Sequence, residues 1–255
     1  MARREYIIHT ADEIRRIRVA ARMTAIARDR IAEQVRPGMT TGELNEIAGA
    51  IIRASGGKPA FFGYCGYPGN ICISVNDVVV HGIGNSSVIL QEGDIVSLDV
   101  GVQYDGAMGD TARTVFVGAG PVPDDVNRLM EGTRLSLEAG IAAAVNGAYI
   151  RDISRAVEKV AKAHSLGIVR DYVGHGCGIA LHEPPEVPNF SSPGNTPRLV
   201  PGMVLCIEPM LNLGTHKIFV EKDQWTVRTA DGAKSAHFEH MILITEGQPE
   251  VLTRV

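Results

Sequence analysis

The sequence predicts an α+β fold made of two related halves, and three observations carry that reading. Hydrophobic spacing runs helix, helix, strands, and then repeats the same order. Two separate anchors share one offset: Pro37-Gly38 matches Asn146-Gly147, and the stretch ending in Asp99 matches the stretch ending in Glu208 (208 − 99 = 109). Each of those stretches is an apolar run that ends in an acid, where a buried strand would carry another apolar residue. If a pseudo-twofold axis relates the halves, the two acids face it together. An ionised carboxylate in apolar surroundings then needs a compensating partner, and a shared cation is the strongest one. The half-repeats are expected at about 11–118 and 122–250, within one domain spanning 1–255.

Thr10-Ala-Asp-Glu13 is a capping box, whose hydroxyl and carboxylate satisfy free N–H groups at a helix start. Ile14, Ile17, Ala21 and Ala25 follow at helical spacing, and the other face carries Arg15, Arg16, Arg18, Arg22, Arg28 and Arg30. A second box, Thr40-Thr-Gly-Glu43, opens a helix striped by Leu44, Ile47 and Ile51 and stopped by Gly56-Gly57. The period then changes to that of strands at 71–75, 78–83, 94–101 and 113–118. Helices return at 126–145 and from Ile150 to near Gly167, with Ile153, Val157 and Val160 as the second stripe. Strands resume at 203–210, 217–222, 225–229 and 237–245. The six prolines from Pro184 to Pro201 read as a stiff surface loop.

Bulk properties exclude several classes of function. Net charge is −4, so no global basic field draws the chain to DNA. Cys65, Cys72, Cys177 and Cys206 form no C-x-x-C pair, which argues against a zinc ribbon or redox dithiol and suits a reduced, cytoplasmic protein. The charged opening residues lack the apolar core of a secretory signal, and no apolar run approaches the roughly 18 residues of a membrane span. No long heptad or bare apolar strip points to an oligomer.

Five side chains stand out as candidate metal ligands: Asp99, Asp110, His175, Glu208 and Glu239. Singly, each has a plainer reading. Asp99 or Glu208 could be a hydrogen-bonded buried acid, Asp110 a turn residue in Gly109-Asp110-Thr111, and His175 a loop histidine between glycines. Glu239 could be a surface residue at a strand start. Together, four carboxylates and one imidazole without a thiolate suit a hard-to-borderline divalent ion such as Mn, Fe, Co or Zn.

The stretches GYPGNICISVNDVVVHGI, SLDVG with GDTART, GHGCGIALHEPP, MVLCIEPM and SAHFEH together resemble the type I methionine aminopeptidases, in order and over nearly the whole chain. The resemblance implies the pita-bread (creatinase/aminopeptidase) fold, a curved antiparallel sheet with helices on its outer side and a pseudo-twofold repeat. It implies two divalent metal ions held by the five candidates, and a water activated between them. Glu208 would be both ligand and proton shuttle, while His182 and His81 would contact the scissile group. Phe61, Tyr64, Tyr67, Cys72, Leu181 and Trp225 match the pocket for the methionine side chain, whose polarizable thioether suits aromatic and sulfur-bearing walls. The implied substrate is the N-terminal methionine of nascent polypeptides with a small second residue, and the implied state is a monomer.

Phe61 stands where that family often has cysteine, Leu181 where an aromatic is frequent, and His237 where glutamine is usual. His237 is expected to touch the groups around Glu239 and so change its pH behaviour. Two rival readings remain at this point. Prolidases and aminopeptidases P share fold and ligands but usually carry an additional N-terminal domain, and here the first helix is expected at about residue 11. Non-catalytic binding modules of the same fold typically lose ligands, whereas all five are present. The arginine-rich helix face could make a transient contact with ribosomal RNA. A solvated face is the simpler reading, because net charge is negative and no stacking aromatics accompany the arginines.

Overall fold

In a computed structural model of the chain, residues 6–255 are described, and the charged opening stretch 1–5 lies outside them. Helix α1 (Ala11–Ala32) starts where the first capping box places it. The Glu13 N–H donates to Thr10 Oγ1, and the Thr10 N–H donates to Glu13 Oε2 at 2.7 Å. Helix α2 (Thr41–Ala54) starts the same way at Thr40 and Glu43. Helix α3 (Asp124–Ala143) and α4 (Ile150–Ala163) open the second half. At α4 the Asp152 carboxylate, which matches Glu43 in the repeat, accepts the Tyr149 N–H.

The strands of the first half are β1 (Lys58–Pro59), β2 (Cys72–Val75), β3 (Val78–Val80), β4 (Ile95–Tyr104) and β5 (Ala107–Phe116). Those that follow α4 are β6 (Gly167–Ile168), β7 (Gly174–Gly176), β8 (Glu183–Val187), β9 (Val204–Ile207), β10 (Met210–Asn212), β11 (Ile218–Val220), β12 (Val227–Thr229), β13 (Ser235–His237), β14 (His240–Leu243) and β15 (Glu250–Val251). Their pairings are antiparallel.

The repeat reaches down to hydrogen-bond register. β1 pairs with β4 as Lys58↔Gln103 and Pro59↔Val102, and β6 pairs with β10 as Gly167↔Asn212 and Ile168↔Leu211. Every one of these positions moves by the same offset that relates Asp99 to Glu208. The isolated bridges Thr40↔Ile89 and Tyr149↔Arg198 obey it too. Helices α1 and α2 cover the first half, and Leu44, Ile52, Leu98 and Val100 fill the core beneath them. Helices α3 and α4 cover the second, over Ile153, Val157, Leu205 and Ile207. Leu44 and Ile153 are repeat equivalents and both fully buried. Leu44→Ala and Ile153→Ala are each expected to cost about 2–5 kcal/mol, because surrounding side chains close such cavities only partly. Thermal unfolding checks this, and a variant melting within a degree of the parent would show that its site had collapsed without cost.

The structure departs from the sequence reading in four places. The stretch 203–210 is two strands, β9 and β10, which belong to different sheets. The break falls at Glu208-Pro209, where proline offers no N–H to a ladder. The stretch 237–245 is likewise divided, between β13 and β14. The antiparallel surface of the fold is thus distributed over four hydrogen-bonded sheets. The prolines 184–201 are not all loop, since β8 runs through Pro184 and Pro185 and pairs with β7. Asp110 lies in mid-strand in β5 rather than in a turn, opposite Gly101.

The arginine face of α1 is also different from a uniformly solvated one. Arg28 is buried, with one guanidinium nitrogen donating to Thr111 Oγ1 at 2.8 Å and another pairing with Asp29. Arg15 and Arg16 pair with Asp12, and Arg18 forms a fork with Glu250. No helix among the described residues is long and apolar enough to cross a membrane.

Candidate metal centre and substrate cavity

β4, β5, β7 and the two breaks in the second half converge on one cavity of about 230 Å³. Asp99 sits in β4 opposite Ala112 and Cys72, and Asp110 in β5 opposite Gly101. His175 is the centre of β7. Glu208 and Glu239 occupy the two interruptions, just after β9 and just before β14. A residue outside the ladder is free to turn its carboxylate inward, so the irregularities that divided the predicted strands are what place these two acids. All five metal candidates line the cavity, as do His81, His182, Phe61, Tyr64, Tyr67, Cys72, Leu181 and Trp225.

The floor is polar and under-partnered. Asp99 Oδ1, Asp110 Oδ1 and Glu239 Oε1 are sealed from solvent without a hydrogen-bond partner among the described residues. Asp110, His175, Cys206 and Glu239 each bring one donor atom within 4.8 Å of the others. Glu208 Oε1 lies 3.3 Å from His175 Nε2. His175 Nδ1 lies 2.9 Å from the Gly176 carbonyl, which can only accept. Nδ1 therefore carries the proton, and Nε2 presents its lone pair to the acids, the tautomer a metal ligand requires.

Electrostatics agree with the geometry. Burial pushes Asp99 up to about 6, against the opposing pull of His237 and the Cys72 thiol. Burial, then Glu239 and Asp99, hold Asp110 well above the usual carboxylate range. Glu208 is raised by burial and Asp99, and Glu239 by burial, Glu208 and Asp99. Four mutually repelling acids beside an imidazole whose lone pair faces them are a site for cations, since only added positive charge lets all four ionise together. The orphaned oxygens and the bare Nε2 fit divalent metal in kind.

The wall is apolar. Phe61, Tyr67, Cys72 and Leu181 form one buried cluster, with Trp225 packed against it. Tyr67 and Trp225 meet edge to face at 5.1 Å between ring centroids. Gly101 makes room for Phe61, because a Cβ there would sit 2.5 Å from the phenyl ring. His81 projects from a left-handed backbone (φ 58°), a conformation non-glycine residues seldom take, and its ring stands edge-on to Tyr172. Burial, then the nearby His237 and His182, lower the His81 pKa to about 4. His182 Nδ1 is 2.8 Å from the Tyr64 hydroxyl, and burial lowers its pKa as well.

Several residues of the site had not been singled out for it. Cys65, Val80, Tyr172, Val173 and Met210 also line the cavity. Cys206 lies beside Asp110 and Glu239, and its place two residues before Glu208 on an alternating strand was an available signal. Arg28 supports the floor from behind: it donates to the Thr111 hydroxyl, which donates to the Glu239 carbonyl at 2.7 Å. Nothing local in the first helix marks it. The group that His237 reaches is Glu208, with Nε2 lying 3.6 Å from Glu208 Oε2. The imidazole thus faces Glu208, since β13 pairs with β10 and the chain breaks before Glu239.

Residues 15–246 match metallopeptidase family M24. Methionine aminopeptidase 1 of Bacillus subtilis is 44% identical over 98% of this chain and 99% of its own length. Methionine aminopeptidase 1 of Mycobacterium tuberculosis is 45% identical over 96% of this chain and 93% of its own. The crystal structure of methionine aminopeptidase from Thermotoga maritima superposes with a TM-score of 0.94 at 39% identity, covering 98% of this chain and 100% of that one. Fold and buried acidic centre define a metal-dependent peptidase. The chain belongs to metallopeptidase family M24, and within it to the type I methionine aminopeptidases with their pita-bread fold.

Proposed function

We propose that this chain, acting as one catalytic domain, hydrolyses the N-terminal methionine from nascent polypeptides and peptides whose second residue is small. The observation that carries the reading is the cavity itself: a polar floor of under-partnered acids beneath a closed wall of Phe61, Tyr67, Cys72, Leu181 and Trp225. Such a wall accepts one unbranched thioether side chain, and the acids beneath attract the free α-amine that only a chain terminus carries. Identity above 40% to curated methionine aminopeptidases over nearly the full length supports the same reading.

Asp99, Asp110, His175, Glu208 and Glu239 would hold two divalent ions, from among Co, Mn, Fe and Zn, which when bound supply Lewis acidity and a nucleophile at neutral pH. The remaining chemistry belongs to side chains. Glu208 takes a proton from the attacking nucleophile and passes it to the departing amine. The Tyr64 hydroxyl, whose own pKa is raised by burial, stays protonated and donates to His182 Nδ1. His182 then carries its proton on Nε2 and donates to the carbonyl oxygen as charge develops there. His81, held neutral by burial, contacts the scissile amide. The chain is proposed to work as a cytoplasmic monomer, with any ribosome contact through α1 limited to arginines free of acidic partners.

Mass-detected hydrolysis of Met-Ala-, Met-Gly-, Met-Leu- and Xaa-Pro-headed peptides by the metal-reconstituted protein tests this. Methionine is expected to leave the first two, with little release from Met-Leu- and no general Xaa-Pro cleavage. Preferred cleavage of Xaa-Pro peptides would overturn the substrate assignment.

A further inference from the structure

His182 stands on a turn rather than in a strand, so something must hold that turn. Residues 178–182 leave β7 and return into β8. The turn has one internal bond, Gly178 N–H to the Ala180 carbonyl, and one tie to β5, Met108 N–H to the Gly178 carbonyl. Two further N–H groups of the turn converge on Glu183. The N–H groups of Ile179 and Ala180 donate to Glu183 Oε1 at 2.9 and 2.8 Å. Glu183 is buried, so a carboxylate gathering this turn needs a partner for its second oxygen.

That partner comes from the far end of the chain. His9, in the segment before α1, is buried, and its Nε2 lies 3.0 Å from Glu183 Oε2. The two atoms meet by distance, and neither has an aligned hydrogen-bond partner among the described residues. His9 is itself fixed by its N–H, which donates to the Gly202 carbonyl, and its Nδ1 is 4.0 Å from the capping residue Glu13. The contact with the turn is intimate: a Cβ on Gly178 would sit 2.7 Å from the His9 ring. His9 together with the Gly178 backbone thus forms the platform on which the turn rests. The turn delivers two neighbours to the cavity, Leu181 to its wall and His182 to its reacting end.

We propose that His9 is a positioning residue for His182, acting through the Glu183 carboxylate that gathers the 178–182 turn. The inference rests on the role given to His182 above. It reaches beyond the metal ligands, because none of them touches His9 or Glu183 in the hydrogen bonds and ion pairs of the described residues.

The test is a set of variants in the metal-loaded enzyme, with kcat and KM on a Met-Ala- peptide, metal affinity by titration calorimetry, and melting temperature. His9→Leu is expected to lower kcat about tenfold, the lower end of the effect of groups that orient a functional side chain. Metal affinity should remain at the parental value. His9→Lys, which places a donor opposite Glu183, should recover most of the loss. Combined with His182→Ala, His9→Leu should cost nothing further, because the group it positions is gone. A parental kcat in His9→Leu would overturn the proposal. So would an undiminished tenfold loss in the His182→Ala background, or failure of His9→Lys to restore a folded His9→Leu enzyme. A parental kcat in His182→Ala alone would instead remove the role of His182, which separates the two failures.

Discussion

Asp99→Asn is expected to lose at least about a thousandfold in kcat/KM and, in the metal-free state, to melt higher than the parent. The first effect follows from the contribution of metal to stabilising transition-state charge, several kcal/mol, with each 1.36 kcal/mol worth tenfold in rate. The second follows from the cost of the carboxylate when no cation is bound. Burial holds Asp99 up at about 6, so the folded chain keeps a proton that the unfolded chain releases near the usual carboxylate pKa. For an acid raised in this way, stability is full at low pH and falls as pH rises from about 4 through about 6. The loss persists above that window. Allowing for solvent that reaches the cavity, it is on the order of 2 kcal/mol, or about 4–8 °C in melting temperature for a chain of this size. Asparagine has no such cost. Scanning calorimetry with chelator should therefore show the variant above the parent at pH 8 and level with it near pH 4. Adding Mn or Co should raise the parent strongly and the variant little. A metal-free variant that melts below the parent at pH 8 would show that Asp99 has a stabilising partner, and parental activity would remove it from the centre.

His182→Ala carries the second-largest expected loss, about 10²–10³ in kcat, the usual effect of deleting one donor to a developing oxyanion. KM should change little, since the contact strengthens only as charge appears on the oxygen. Metal affinity should hold, because His182 is not among the five proposed ligands and its Nδ1 is taken by the Tyr64 hydroxyl. Steady-state kinetics and calorimetric metal titration on one preparation decide this. A large rise in KM at constant kcat would move His182 from the reacting carbonyl to ground-state binding.

Much of this was legible in the residues. Both capping boxes marked the helices they start, and the offset between halves foretold α2 and α4 as equivalents. What escaped was whatever tertiary contact overrides local pattern. The stretch from Ala107 to Ala112 has no apolar alternation, yet it is the first half of a ten-residue strand. It is a strand because β4 runs beside it with ten successive pairs, and α1 covers its outer side. Glu208 and Glu239 were recognisable as acids among apolar residues, but the breaks that free them depend on Pro209 and on a change of sheet that alternation does not encode. Arg28 looked like its neighbours on α1, and only the fold turns it toward Thr111. His237 was expected around its sequence neighbour Glu239, and the group it faces is Glu208, because neighbours two apart diverge when a strand ends between them.

The register also gives His237 a counterpart. It pairs with Met210 as Asp110 pairs with Gly101, and Met210 and Gly101 are repeat equivalents. One structural address therefore holds a carboxylate in one half and an imidazole in the other. A perfect duplicate would furnish the cavity with mirror-like ends, and a peptide would find its amine and carbonyl equally welcome at either. The exchange of acid for imidazole at this address, with His175 and Glu239 also drawn from the second half alone, removes that equivalence. Direction along the substrate is then built into the scaffold before any substrate arrives.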